Sequence, residues 1–363
     1  MVNAKYAELP TYSRGKVHTS TQCIVMAGNF SGLSTEFGLA NGFAKLGWHV
    51  QQVDRTEYFG QSVGKFARVI SRLKLPLAIR RYNKAIIEAV KAVKPHFFLT
   101  VKGSYITATT LACVRRLGAF TINYYPDLHF KHPGVNEDDF VHYDLFITTK
   151  SFQVDYLVRK LGVDRVAFLH HGYVAGFHEP PAQVDLSAEA ADIVYIGNHS
   201  KEKEQWLRVV KERFPKANFK IYGNRWSTIA DKEIFGSSIM GVPVHGKDFA
   251  KAIFSAKINL AIHMGMVGNS EWADLVSTRT FEIPACKGFM LHIDNEEIRQ
   301  LFTPGVEIDV FKNMGELCEK IDFYLSHDNS RRAMLEKAYQ RCVPAYSYDE
   351  RAHAIADRLL LVE

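Results

Sequence analysis

The sequence is constrained most by an alternation that runs along it twice. Short runs rich in β-branched and aromatic residues are separated by longer stretches of helical period, the pattern of βα units around a parallel sheet. In the first half the expected strands are Cys23–Ala27, His49–Val53, Phe97–Val101, Phe120–Tyr124, Leu145–Thr148 and Val166–Leu169, with a helix over Thr35–Leu46 that stops at Gly47. Periodicity is lost over His178–Ala190, where Pro180 and Pro181 are followed by small and acidic residues, and this stretch reads as a linker. Strands resume at Asp192–Ile196, Phe219–Tyr222, Ile258–Ile262, Phe289–Ile293 and Glu307–Val310, between helices such as Glu202–Arg213, Phe249–Ser255, Arg279–Cys286 and Met314–Leu325. The expectation is two α/β domains, 1–177 and 191–347, and 363 residues are enough for each to bury its own core. A last helix over 348–363 follows Pro344 and either closes the second domain or crosses back to the first.

Composition narrows the class. The 47% hydrophobic and 23% charged fractions are those of a globular protein and exclude a collagenous or disordered chain. The net charge of +6 is mild but uneven. Between Lys65 and Lys94 nine basic residues stand against Glu88 alone, so this segment should attract an anionic membrane or a nucleic acid, or form a solvated helix face. Five scattered cysteines without a C-x-x-C pair read as buried reduced thiols. With no apolar h-region in the first twenty residues and no stretch near 18 apolar residues, we expect a cytoplasmic protein, peripheral to the membrane if it touches one.

Gly-Asn recurs at Gly28-Asn29, Gly197-Asn198, Gly223-Asn224 and Gly268-Asn269, three times directly after an expected strand. Glycine there permits a tight turn and close approach of a ligand at the carboxyl edge of a parallel sheet. The first of these, Gly28-Asn29-Phe30-Ser31-Gly32, leads into a helix whose N-terminus favours phosphate, although it is neither G-x-G-x-x-G nor a P-loop.

The densest segment is Ile262–Phe289. A polar loop enters a short helix whose first turn holds Ser277, Thr278, Arg279 and Thr280, hydroxyl caps and a guanidinium together, a cradle for diphosphate. Asp274 and Glu282, with seven residues between them, are placed to contact two hydroxyl-rich parts of one ligand. Glu282 sits among Phe281, Ile283 and Ala285 and needs a partner if buried.

Ser277-Thr278-Arg279-Thr280-Phe281-Glu282-Ile283-Pro284-Ala285-Cys286-Lys287-Gly288, then Leu301-Phe302-Thr303-Pro304-Gly305 and Tyr348 with Arg351, resemble the CgeB-like group of GT-B glycosyltransferases with its group 1 glycosyl transferase domain. The first half resembles it more loosely, at Gly28 to Val50, Val101-Lys102-Gly103 and Tyr124-Tyr125-Pro126-Asp127. The resemblance implies two Rossmann-like domains facing across a cleft, the second holding a nucleotide-sugar and the first an acceptor. Glu282 would bind ribose hydroxyls and Asp274 would face the donor sugar; the motif's first acid is usually Glu and here is Asp.

A sugar-diphosphate leaving group gains charge, so prearranged donors are needed around it: Arg279, the amides of Ser277 to Thr280, the Gly28–Gly32 loop and Lys201 or Lys203, with Lys201 taken as the donor-binding residue. No metal site and no cofactor are expected, the nucleotide-diphosphate sugar being a co-substrate. Asp127 and His129, with His132 nearby, are candidates to receive an acceptor proton if the reaction inverts; the two-acid motif points to retention. His170-His171 beside the hinge, His263 and His245 are further candidates for sugar or base contacts. The expected activity is metal-independent transfer of a sugar to a hydroxyl of a surface glycan, lipid-linked sugar, protein or modified DNA base. The alternatives are a two-domain sugar-nucleotide sensor without chemistry and an epimerase or phosphorylase.

Overall fold

The computed structural model describes residues 22–59, 65–182, 191–263 and 272–360, with backbone alone for 65–72 and 229. Each expected run of β-branched and aromatic residues forms a strand, and all strand pairs are parallel. The chain runs through β1 (Cys23–Gly28), α1 (Thr35–Lys45), β2 (His49–Asp54), α2 (Lys65–Val93), β3 (Phe97–Val101), α3 (Ala108–Arg116), β4 (Phe120–Tyr125), β5 (Leu145–Thr148), α4 (Val154–Leu161) and β6 (Val166–Phe168). These strands lie in the order β2-β1-β3-β4-β5-β6. The second half runs through β7 (Ala191–Ile196), α5 (Lys201–Arg213), β8 (Phe219–Tyr222), α6 (Gly246–Phe254), β9 (Ala256–Ala261), α7 (Thr278–Ala285), β10 (Met290–Ile293), α8 (Glu296–Leu301), β11 (Asp309–Phe311), α9 (Met314–Ser326), α10 (Asp328–Cys342) and α11 (Tyr348–Leu360). Its sheet has the order β11-β10-β9-β7-β8. Both domains are Rossmann-like, each with a sheet that reverses its direction of growth beside its first strand.

The chain divides into two compact units, Met1–His171 with Tyr348–Glu363, and Gly172–Ser347. Residues 172–177, which the sequence reading placed in the first domain, therefore belong to the second. Tyr173 explains this: its amide donates to the Tyr346 carbonyl (3.1 Å) and its ring is buried in the second core with Phe281 and Phe302.

The helix α11 packs on α1 within the first unit. The contact needs two glycines one turn apart. A Cβ on Gly38 would stand 2.5 Å from the Tyr348 ring, and one on Gly42 would stand 2.6 Å from the Ala352 methyl and 2.9 Å from the Tyr348 carbonyl. Around this close approach the Thr35 hydroxyl meets that of Tyr348 at 3.0 Å and Lys45 pairs with Asp349 at 2.6 Å. Arg351, fully buried on the same helix, donates from Nε to the His171 carbonyl (3.1 Å). Gly42→Val should therefore destabilise the first unit by about 2 kcal/mol through overpacking. Urea unfolding followed by circular dichroism measures this, and an unchanged midpoint contradicts the packing described.

Candidate functional site

In the second sheet β7 is followed by β8 on one side and β9 on the other, so the carboxyl ends of β7 and β9 part at the switch point, where open α/β sheets bind ligands. A pocket of about 170 Å³ lies there. Ile196 and Gly197 line it from β7 and its turn, Ile262 and His263 from the end of β9, Lys203 from α5, and Asp274, Ser277, Thr278 and Arg279 from the approach to α7 and its first turn. The volume is below the usual range for a whole ligand and suits part of one.

Arg279 is fixed from three directions. Its Nε donates to the Ile196 carbonyl (3.0 Å), its Nη1 donates to Glu282 one turn along α7, and its guanidinium lies 4.7 Å over the Phe249 ring of α6. Burial lowers its pKa to about 10, which leaves it charged at neutral pH. Glu282, which the sequence marked as needing a partner, is 7% exposed and finds it in Arg279. It stands behind Arg279 rather than lining the pocket. Its Oε1 lies 3.9 Å from His178 Nε2. Burial and the nearby Arg279 and His245 hold His178 down at about 3, so the ring is neutral; Nδ1 accepts from the Val174 amide (3.1 Å), leaving the proton on Nε2, which faces Glu282.

The start of α7 is capped internally. The Ser277 side chain accepts from the Arg279 amide (3.2 Å), the Thr280 hydroxyl accepts from the Ser277 amide (3.2 Å), and the Thr280 amide donates to the Ser277 carbonyl (3.1 Å). Three of the four amides expected to cradle phosphate are thus engaged within the turn. Thr280, fully buried, is structural: its hydroxyl also meets His292 Nε2 at 3.0 Å. His292 is held at about 4 by burial, and its Nδ1 lies 2.7 Å from the Ile293 carbonyl, to which it must donate. His292 Nε2 is then an acceptor, and His263 Nε2, 2.8 Å away, carries a proton towards it. His263 lines the pocket with this inner nitrogen already bonded.

The Gly-Asn turns after β7 and β8 bind each other. Asn198 Oδ1 accepts from the Asn224 amide and side chain (both 3.1 Å), and a Cβ on Gly223, whose φ is +140°, would stand 2.1 Å from the Gly197 carbonyl. Gly197 reaches the pocket; Asn198, Gly223 and Asn224 shape the edge. On α5, Lys201 is exposed and Lys203 lines the pocket, one residue pair further along. Burial and Arg279 pull Lys203 down while Asp274 raises it, so the two cations and one acid share this small space. His245 is exposed at the N-cap of α6. Gly268-Asn269 lies outside the described residues.

In the first unit the corresponding turn closes on an acidic side chain. The Asn29 amide donates to the Glu36 carboxylate (3.2 Å), Asn29 Oδ1 accepts from the Ser31 amide and hydroxyl (2.9 and 2.6 Å), and a Cβ on Gly28 would stand 2.7 Å from Glu36 Cγ. Gly32, at φ +62°, only completes the turn. The phosphate role expected of Gly28, Asn29, Ser31 and Gly32 does not fit a loop closed around a carboxylate. Burial raises Glu36, with Lys102 and Arg55 near enough to oppose it.

Asp127 pairs with Lys102 (2.6 Å) and His132 (3.0 Å). His129 is exposed, so His132 replaces it as the histidine beside this acid. Lys102 holds a left-handed φ of +68°, a strained conformation for a lysine. His171 is buried against Thr149 (3.0 Å) and Lys150 (3.3 Å), and burial with the neighbouring positive charges keeps it neutral. Lys203, His178, His292 and His132 are the site residues that the sequence reading passed over or ranked low. Among the described residues no group of three His, Cys, Asp or Glu is placed to hold a metal ion.

His171, His178 and His292 stay neutral when folded and take up protons below about 6.5 when unfolded. Their contribution to stability is complete above that pH and is lost as pH falls towards 4, at about 1.4 kcal/mol per pH unit for each group. His292→Asn should flatten the slope of unfolding free energy between pH 6.5 and 5 by roughly one proton. An unchanged slope contradicts the neutral assignment of His292.

Residues 201–357 match a family model described as glycosyl transferase-like. No curated protein matches the chain significantly. Among solved structures the chain is similar to a glycosyltransferase from Rickettsia africae, with 13% identity, TM-score 0.65, and coverage of 94% of this chain and 99% of that one. It is similar to Anabaena Alr3699/HepE, solved in complex with UDP and glucose, with 10% identity, TM-score 0.61, and coverage of 94% and 100%. It is also similar to a UDP-N-acetylglucosamine 2-epimerase, with 11% identity, TM-score 0.56, and coverage of 94% and 97%. The chain has the GT-B fold, and its second half carries a glycosyl transferase-like sequence pattern.

Proposed function

We propose that the chain transfers a sugar from a nucleoside-diphosphate sugar to a hydroxyl acceptor, with the donor diphosphate held in the switch-point pocket of the second unit. The observation that carries this reading is the placement of Arg279, oriented by three partners beside Lys203 at the carboxyl edge of the sheet. As the bond from the sugar carbon to the diphosphate oxygen breaks, negative charge grows on the leaving group. The fixed guanidinium of Arg279 stabilises it there without reorganising, and in this reading Arg279 and Lys203 together supply the countercharge that a metal would otherwise bring.

Glu282 acts first as the positioning residue for Arg279. A ribose hydroxyl has to use its Oε1, where it could accept from His178 Nε2 and donate to the carboxylate. Asp274, on the pocket wall within the field of Lys203, is the candidate to orient the donor sugar. The acceptor oxygen attacks the sugar carbon, and its proton passes to the departing phosphate. The same fold in a UDP-N-acetylglucosamine 2-epimerase makes epimerisation the second reading, which product analysis separates.

Arg279→Ala should slow transfer by roughly 100-fold with a smaller loss of donor affinity, and Lys203→Ala should lower that affinity while Lys201→Ala leaves it unchanged. A thermal-shift series with UDP, GDP, dTDP, CMP and ADP, with and without EDTA, reads the binding. One diphosphate at a concentration about 100 times its Kd should stabilise the native state by about 2.7 kcal/mol whether or not EDTA is present. A shift abolished by EDTA contradicts the metal-free reading, and a shift unaltered by Lys203→Ala contradicts the pocket.

A further inference from the structure

We infer that the outer face of α2 is a docking surface for an anionic phospholipid bilayer, independent of the pocket in the second unit. Among the described residues no helix is long and apolar enough to cross a membrane, so such contact would have to be peripheral. One side of α2 is built into the first unit: Tyr82, Asn83, Ile86 and Val90 are buried, and Asn83 ties the helix to the Tyr105 carbonyl (2.7 Å) and the Thr107 amide (3.0 Å). The other side carries Lys74, Arg80, Arg81, Lys84, Lys91 and, just past the helix end, Lys94, all exposed. The acid on this face, Glu88, is paired with Lys84 at 3.5 Å.

Charge alone would serve a bilayer or a nucleic acid equally, and two leucines separate the cases. Leu73 is 78% and Leu77 50% exposed, a full turn apart on the same basic face. Leucines so placed offer nothing to a phosphate backbone, whereas at a bilayer they enter the acyl boundary while the bases beside them meet the headgroups. Binding to single-stranded nucleic acid would instead use exposed aromatic rings for stacking, and over residues 73–93, where the side chains are described, the aromatic residue Tyr82 is 1% exposed. Beside the helix an open groove of about 530 Å³ is lined by Ile79 and Ile87 together with Arg80, Lys84, Lys91 and Glu88, three bases against one acid beside apolar surface, which suits a glycerophosphate group and the start of its chains.

The test is sedimentation of the full chain with sucrose-loaded vesicles of phosphatidylcholine alone or with about 30% phosphatidylglycerol, at low and at high salt. The protein should pellet with the anionic vesicles at low salt and not with the neutral ones. Leu73→Ser/Leu77→Ser should reduce the partition coefficient about tenfold. Arg80→Glu/Arg81→Glu/Lys84→Glu should reduce it about 100-fold or more. Both variants change exposed side chains, and their melting temperatures should match the parent; if the double variant melts early, Leu73→Ser alone is used, with about a threefold loss expected. Absence of pelleting with anionic vesicles, equal pelleting with neutral ones, or full binding by the leucine variant overturns the inference. So does tighter binding to a DNA oligonucleotide than to the vesicles, unaffected by loss of the leucines.

Discussion

The second unit depends on how one guanidinium is held. Arginine loses about 2 kcal/mol of rotamer freedom when fixed, and here folding meets that cost through a β7 carbonyl, a carboxylate on the arginine's own helix and the face of Phe249. The arrangement works in both directions. Glu282 can be buried because Arg279 pairs with it, and Arg279 in turn takes one of its three fixed contacts from Glu282. The capping box holds the helix start that presents Arg279, and Thr280, the residue that closes the box, is in turn supported by His292 and through it His263. A ligand therefore meets a cation whose direction is already set.

The two units share a topology and differ in what occupies the switch point. In the second, Lys203 and Arg279 reach the carboxyl edge. In the first, the turn after β1 closes on the buried side chain of Glu36, which occupies the Asn29 amide that a phosphate would otherwise use. Cations thus gather at the edge of the second sheet, while in the first unit Lys102 and His132 are both paired with Asp127.

The strands were legible because β-branched runs in a buried parallel sheet have few alternatives, and α7 appeared within one residue of its expected bounds because Ser277 is a strong cap. Side-chain direction was not legible in the same way. Lys201 and Lys203 are two residues apart and so point to different sides of α5, and the sequence does not say which side meets β7. His129 and His132 sit in a loop without period, where only the turn after Pro126 decides which of them returns to Asp127. His178 fell in the stretch read as linker. His292 did leave a signal: a histidine inside the strand Met-Leu-His-Ile has to find a buried partner. The Gly28 loop misled because an acid in the first turn of a helix ordinarily complements the dipole, and Glu36 instead folds back to occupy the site.

In the proposed reading the pocket of the second unit breaks the bond between a sugar and a nucleoside diphosphate. The most direct measurement is chromatographic analysis of nucleotide and sugar products after the full chain is incubated with its stabilising nucleotide-sugar, beside Arg279→Ala. Slow release of nucleoside diphosphate and free sugar with water as acceptor is expected, lost in the variant. An epimerised nucleotide-sugar as the main product, or release that Arg279→Ala leaves unchanged, would contradict it.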